Sequence, residues 1–202
     1  MNGFVTKDDV AKVIGALTAL TKQEVLVGIP AASAGRDDGS PINNAELGYL
    51  LNFGGTISQP ARTQTVYRKV NSDGSFSKGG RFVKRKVSNY ETEHQVAAHE
   101  VVIPARPWLE PGINAGAKKI VEAMQQGATA ALSGNIAGAD QGLTAAGIAA
   151  QNAVRAFINA GNFEALAPST LAARRSRGHA SEKPLVETGG LRNSVTYVKR
   201  KR

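Results

Sequence analysis

The chain has 202 residues, a formal charge of +9, 42% hydrophobic residues and no cysteine. That length fits one domain with extensions, and the missing thiols exclude disulfides, thiolate metal sites and a cysteine nucleophile. Aromatic residues reach only 5%, so the core is expected to be built from Val, Leu, Ile and Ala, while 22 glycines point to many turns.

The opening MNGFVTKDDVAKV lacks the basic start and apolar core of a signal peptide. Thr6 and Asp9 resemble a capping box, and Val10, Val13, Ile14, Leu17 and Leu20 recur at helical spacing, which predicts a first helix over 7–20. EVLVGI (24–29) is β-branched and closes at Pro30, the pattern of a buried strand. AASAGRDDGSP reads as a loop. Asn43 or Asn44 can cap a second helix carrying Leu47, Tyr49, Leu50, Leu51 and Phe53, which stops at Gly54-Gly55.

QTVYRKV and RFVKRKV then alternate as two basic strands around NSDGSFSKGG, predicting a hairpin over about 62–90 with a long tip. Val66, Val70 and Phe82 are expected inward, with Arg68, Lys84 and Lys86 outward. Val101–Ile103 reads as a further strand ended by Pro104 and Pro107, with Trp108 and Leu109 in the core beyond it. A helix is expected over 113–132 with Ile120, Val121 and Met124 on one side, and another over 141–159. Gly142 and Gly147 should weaken the latter by about 1 kcal/mol each relative to alanine. The Ala-rich stretch 127–150 is interrupted by Asp140 and glycines, against a membrane span. Ser169 can cap a short helix ending near Gly178, Thr188 can cap a turn at GGLRNS, and Ser194–Val198 reads as a last strand before a basic tail over about 197–202. The class expected is α+β, one domain with a small antiparallel sheet and a long β-hairpin packed against several helices.

Enzyme signatures are not found. DGSFSKGG lacks the Lys-Ser/Thr of a phosphate loop, and no GxSxG elbow occurs. His94 and His99, beside Glu93 and Glu100, are five apart, which suits neither one helical face nor one strand face, so a polar turn is expected there and not a metal site. Asp37-Asp38 and Glu91-Glu93 sit in loop-like sequence with no apolar setting to raise a pKa. No catalytic residue, cofactor or metal is therefore expected. Three basic clusters stand out instead: Arg81, Lys84, Arg85 and Lys86; Arg174, Arg175 and Arg177; and Lys199–Arg202. Such clusters suit phosphate backbones or an acidic protein partner, or simply a solvated surface.

Three segments in order, NNAELGYLLNFGG (43–55), IPARPWLEPGI (103–113) and APSTLAARRSRG followed by PLVETGGLRNSV (167–178 and 184–195), resemble the tail-completion or neck proteins of tailed bacteriophages, the virion morphogenesis group. The resemblance covers about residues 40–198. It implies an α+β structural subunit without catalytic residues, forming a homo-oligomeric ring, hexameric by expectation, at the head–tail junction of the virion after synthesis in the bacterial cytoplasm. Its partners would be its own copies, neighbouring neck or connector proteins and the tail tube, with possible contact to packaged DNA and none to a membrane. A tail terminator capping the tube, a basic DNA-binding accessory protein and, more remotely, a peptidoglycan hydrolase are the alternatives. The expected contact residues are Tyr67, Arg68, Arg81, Lys84 and Lys86 on the hairpin, and Arg174, Arg175 and Arg192 near the C-terminus.

Overall fold

A computed structural model describes residues 9–36 and 41–202. Thr6 and Asp8, and the Asp37-Asp38 pair, lie outside them. The fold is α+β, as the sequence implies, but it divides into two compact units: residues up to Gly54 together with Pro104–Arg202, and the segment Gly55–Ile103.

The first unit is mainly helical. It contains α1 (Val10–Thr21), β1 (Gln23–Gly28), α2 (Asn44–Phe53), α3 (Leu109–Ala115), α4 (Ala117–Leu132), α5 (Ile136–Ala160), α6 (Pro168–Ser176), α7 (Gly190–Ser194) and β6 (Thr196–Lys201). Asn43 caps α2 through a full capping box: its Oδ1 accepts from the Ala45 and Glu46 amides at 2.9 Å, and its own amide donates to Glu46 Oε2. The single helix expected over 113–132 is two, broken at Gly116, where a side chain would strike Ala153 of α5. The basic C-terminus is likewise no loose tail. Thr196–Lys201 pairs antiparallel with β1, Leu26 facing Val198 and Gln23 facing Lys201.

The main core joins Trp108, Val154, Ile158, Leu185, Leu191 and Val195, with Val27, Ile29, Leu51, Leu109 and Ile113 against it. Trp108 and Leu109 thus stand in the core as expected. All three resembling segments meet there. Trp108 Nε1 donates to the Gly48 carbonyl at 3.0 Å, and Asn52 Oδ1 accepts from the Trp108 amide. Asn44 Nδ2 donates to Ser194 Oγ at 2.8 Å, and Arg106, 6% exposed, donates to the Glu164 and Ala165 carbonyls. Their residue types therefore serve packing among α2, α3 and α7.

The α4–α5 pair departs from the apolar face expected of it. Val121 and Met124 are half exposed, and the buried positions of α4 are Ala123, Gly127 and Ala131, facing Ala139, Gly142 and Ala146 of α5. Small residues three or four apart let the backbones approach until side chains no longer fit between them, and the large apolar groups are left outside. A Cβ on Gly142 would collide with the Gly127 backbone, and one on Gly147 with the ring of Tyr197. Glycine here is a packing requirement, so the usual gain from Gly→Ala in a helix is reversed. Gly142→Ala is expected to cost about 2 kcal/mol as overpacking, read by urea denaturation of the purified chain. A gain in stability would refute the close crossing.

Candidate assembly surface

The second unit is a two-stranded ribbon built from four strands. β2 (Gly55–Gln59) pairs with β5 (His99–Ile103), and β3 (Arg62–Arg68) pairs with β4 (Tyr90–Val96), both antiparallel. Gln59 faces His99 and, three residues on, Arg62 faces Val96, so one register runs through the interruption at Pro60-Ala61 and Ala97-Ala98. Proline there removes an amide from the ladder, which is tolerated because the ribbon has open edges.

The expected second strand, RFVKRKV, is not one. The partner of β3 is YETEHQV, while 69–89 forms an irregular tip that includes a 3-10 turn over Arg85–Val87. Alternation misled because basic residues in a turn-rich tip produce the same pattern as a solvated strand face. Glu91 and Glu93 are accordingly strand residues, not loop residues. His94 and His99 lie on β4 and β5 in place of the expected turn, and among the described residues no group of His, Asp and Glu could hold a metal ion.

No residue from 55 to 103 is buried. Val102 is 71% exposed, and Ile57 and Val101, directly paired, are both exposed. A lone two-stranded ribbon is marginal in water, since each strand has one unpaired edge. Val101–Ile103 is a strand as its sequence implies, and its partner GTISQ (55–59), for which no strand is expected above, carries the paired Ile57.

The tip is nevertheless ordered by its own contacts. Asn89 holds Val70 by two bonds of 2.7 Å, its Oδ1 accepting from the Val70 amide and its Nδ2 donating to the Val70 carbonyl. Asp73 accepts from the amide and hydroxyl of Ser75, and those bonds hold its carboxyl below the ordinary value. Lys78 has φ 52°, and with Gly79 and Gly80, also at positive φ, it reverses the chain. Arg68 was expected to face outward, opposite Val66. Residues two apart on a strand share a face. Its guanidinium instead lies between the rings of Phe76 and Phe82, at 5.5 and 5.3 Å, and the Tyr90 ring meets Phe76 edge-on. Phe82, expected inward, is 67% exposed.

The three basic clusters separate on this structure. Arg81, Lys84, Arg85 and Lys86 are exposed and take part in no ion pair among the described residues. Tyr67 is half-buried opposite Glu91 and joins them on the ribbon. The other two clusters are largely spent internally. Lys199 pairs with Asp140 at 2.7 Å, and Arg200 with Glu24. Arg175 meets Glu182 at 2.7 Å, Arg177 meets Glu187, and Arg192 donates to Asn159 Oδ1 at 2.9 Å. Arg174 is not available as a contact residue: it is 6% exposed and donates to the carbonyls of Ser181, Lys183 and Val186.

The concavities of the first unit hold little reactive chemistry. A shallow groove along α4 is lined by Glu122, Gln125, Gln126, Thr129 and Asn135, with one titratable group. A smaller apolar hollow lies over Trp108, beside the exposed, mutually tilted rings of Tyr49 and Phe53 on α2, 4.7 Å apart. Among the described residues no helix is long and apolar enough to cross a membrane. Compared with protein-family models, curated proteins and solved structures, the chain matches none.

Proposed function

We propose that this chain is a non-enzymatic structural subunit of a tailed-bacteriophage virion, assembling with copies of itself into a ring at the head–tail junction. The observation that carries the reading is the ribbon: residues 55–103 form paired strands with no buried residue, open edges and exposed Ile57, Val101 and Val102. A segment of this kind gains most of its stability from a neighbour, either by strand addition along its edge or by cover on its apolar face. In a closed ring every copy would receive that cover from the next one, leaving no edge exposed. The order of the three resembling segments, and their convergence on one core, supports the same family of subunits. The neighbours across the ring faces would be connector and tail-tube proteins.

Electron microscopy and mass photometry of the purified full chain test the reading. A closed ring, six-fold by expectation, should be seen at micromolar concentration. Val102→Glu should shift it toward monomers at least about tenfold in concentration, because a carboxylate would be desolvated in the interface. A chain that stays monomeric at every concentration, in a phage whose heads still join tails without it, would sink the proposal.

A further inference from the structure

Charge on the ribbon is strongly polarised. The tip carries six exposed cations, Lys69, Lys78, Arg81, Lys84, Arg85 and Lys86, together with the half-buried Arg68, and Asp73 is its only carboxylate. The paired stem below holds Glu91, Glu93 and Glu100 against Arg62 and, at the tip end of β3, that same Arg68. None of the tip cations is neutralised by an ion pair among the described residues, whereas most of the C-terminal cations are. Unpaired like charges held close together repel one another, so their concentration costs stability unless an anion relieves it.

We propose that the tip of this ribbon is a docking site for duplex DNA, gripping the phosphate backbone without reading sequence. Two features favour duplex DNA over other anions. The cations are spread along some eighteen residues of irregular chain, as suits a continuous line of phosphates and not one carboxylate cluster. Arg68 is clamped between Phe76 and Phe82, which stiffens the tip at the point where the strands end and takes one face of each ring. Phe76 and Phe82 are the only rings in the tip and each has one face occupied, a small platform for stacked bases, which favours a duplex over single strands. The inference does not need the ring: it concerns one ribbon and one polyanion.

The test is fluorescence anisotropy of the full chain with a mixed-sequence duplex of about 30 base pairs, over a range of salt concentrations, with oligomeric state followed by light scattering in the same samples. Duplex binding should weaken steeply with salt. In the variant R81Q/K84Q/R85Q/K86Q the log–log slope should become shallower by about three to four, and affinity should drop at least about tenfold at moderate salt. The control K118Q/K119Q, on the exposed surface of α4, should change neither by as much. No binding at 50 mM salt, an unchanged slope in the tip variant, tighter binding to single strands, or equal competition by polyglutamate would each overturn the proposal. A chain that binds duplex in this way while remaining monomeric in the same samples would uphold it, whatever the outcome for the ring.

Discussion

Trp108→Ala should lower the stability of the helical unit by about 4 kcal/mol, and the melting temperature by roughly 10 °C. The side chain is 4% exposed and stands where α2, α3 and α7 meet. Gly48 shows how tight this junction is, since a Cβ there would sit 3.1 Å from the indole ring and 3.4 Å from Leu191. Truncation would open a cavity among α2, α3 and α7 in place of the indole. It would also leave the Gly48 carbonyl without the indole N–H that it accepts at 3.0 Å. Trp108→Phe separates the two contributions. It keeps most of the volume and loses the hydrogen bond, so it should cost about half as much. Circular dichroism during thermal and urea unfolding checks both. A loss below about 1 kcal/mol for the alanine variant would mean that the core does not depend on this anchor.

Arg174→Met is expected to cost about 3 kcal/mol, for a different reason. The guanidinium is buried between α6 and the loop that follows it, where one nitrogen serves three carbonyls, those of Ser181, Lys183 and Val186, and Nε lies 3.6 Å from Glu187. Burial lowers its pKa from the ordinary arginine value, and the Glu187 carboxylate opposes that. Removing the cation takes the donor from the Ser181 carbonyl, leaves those of Lys183 and Val186 with only the Val186 amide and the Ser181 hydroxyl, and strands Glu187 with Arg177 as its closest remaining partner. The same loop holds Leu185 at φ 61°, a left-handed backbone that a branched side chain adopts only when its surroundings enforce it. Leu185 belongs to the main core, so the carbonyl clamp of Arg174 and the burial of Leu185 depend on each other. Arg174→Lys should rescue little, because an ammonium cannot reproduce the planar fork. Limited proteolysis over 179–187 in the two variants, beside urea denaturation, reads this out. Unchanged protection of that loop would show that the clamp is dispensable.

The assembly reading and the packing predictions depend on different parts of the chain, which makes them separable in experiment. Trp108, Arg174 and Gly142 belong to the helical unit and are read by its unfolding. Val102 and the tip cations belong to the ribbon and are read by association and by DNA binding. A ribbon variant that changed the melting of the helical unit would show that the two units are energetically coupled.

Much of the local structure could be read from the sequence because it is written in short-range chemistry. The Asn43-Asn44 pair marks the start of α2, the structure choosing Asn43 as the cap, while Gly54 specifies its end and the β-branched run before Pro30 specifies β1. The anchoring role of Trp108 followed from its being a single large aromatic between two prolines and a helix. Four things were decided by the tertiary structure alone. The buried face of α4 is its Ala/Gly stripe and not Val121 and Met124, because backbone approach to α5 leaves no room for larger groups. The last strand includes Lys199 and Lys201, because β1 supplies an antiparallel partner 176 residues away in the chain, as the Glu24–Arg200 contact records. Arg174 turned inward because the loop after α6 folds back over it and presents the carbonyls of Ser181, Lys183 and Val186. The strand opposite β3 is YETEHQV and not RFVKRKV, because pairing register depends on which partner closes the ladder, and alternation of charge looks the same in both.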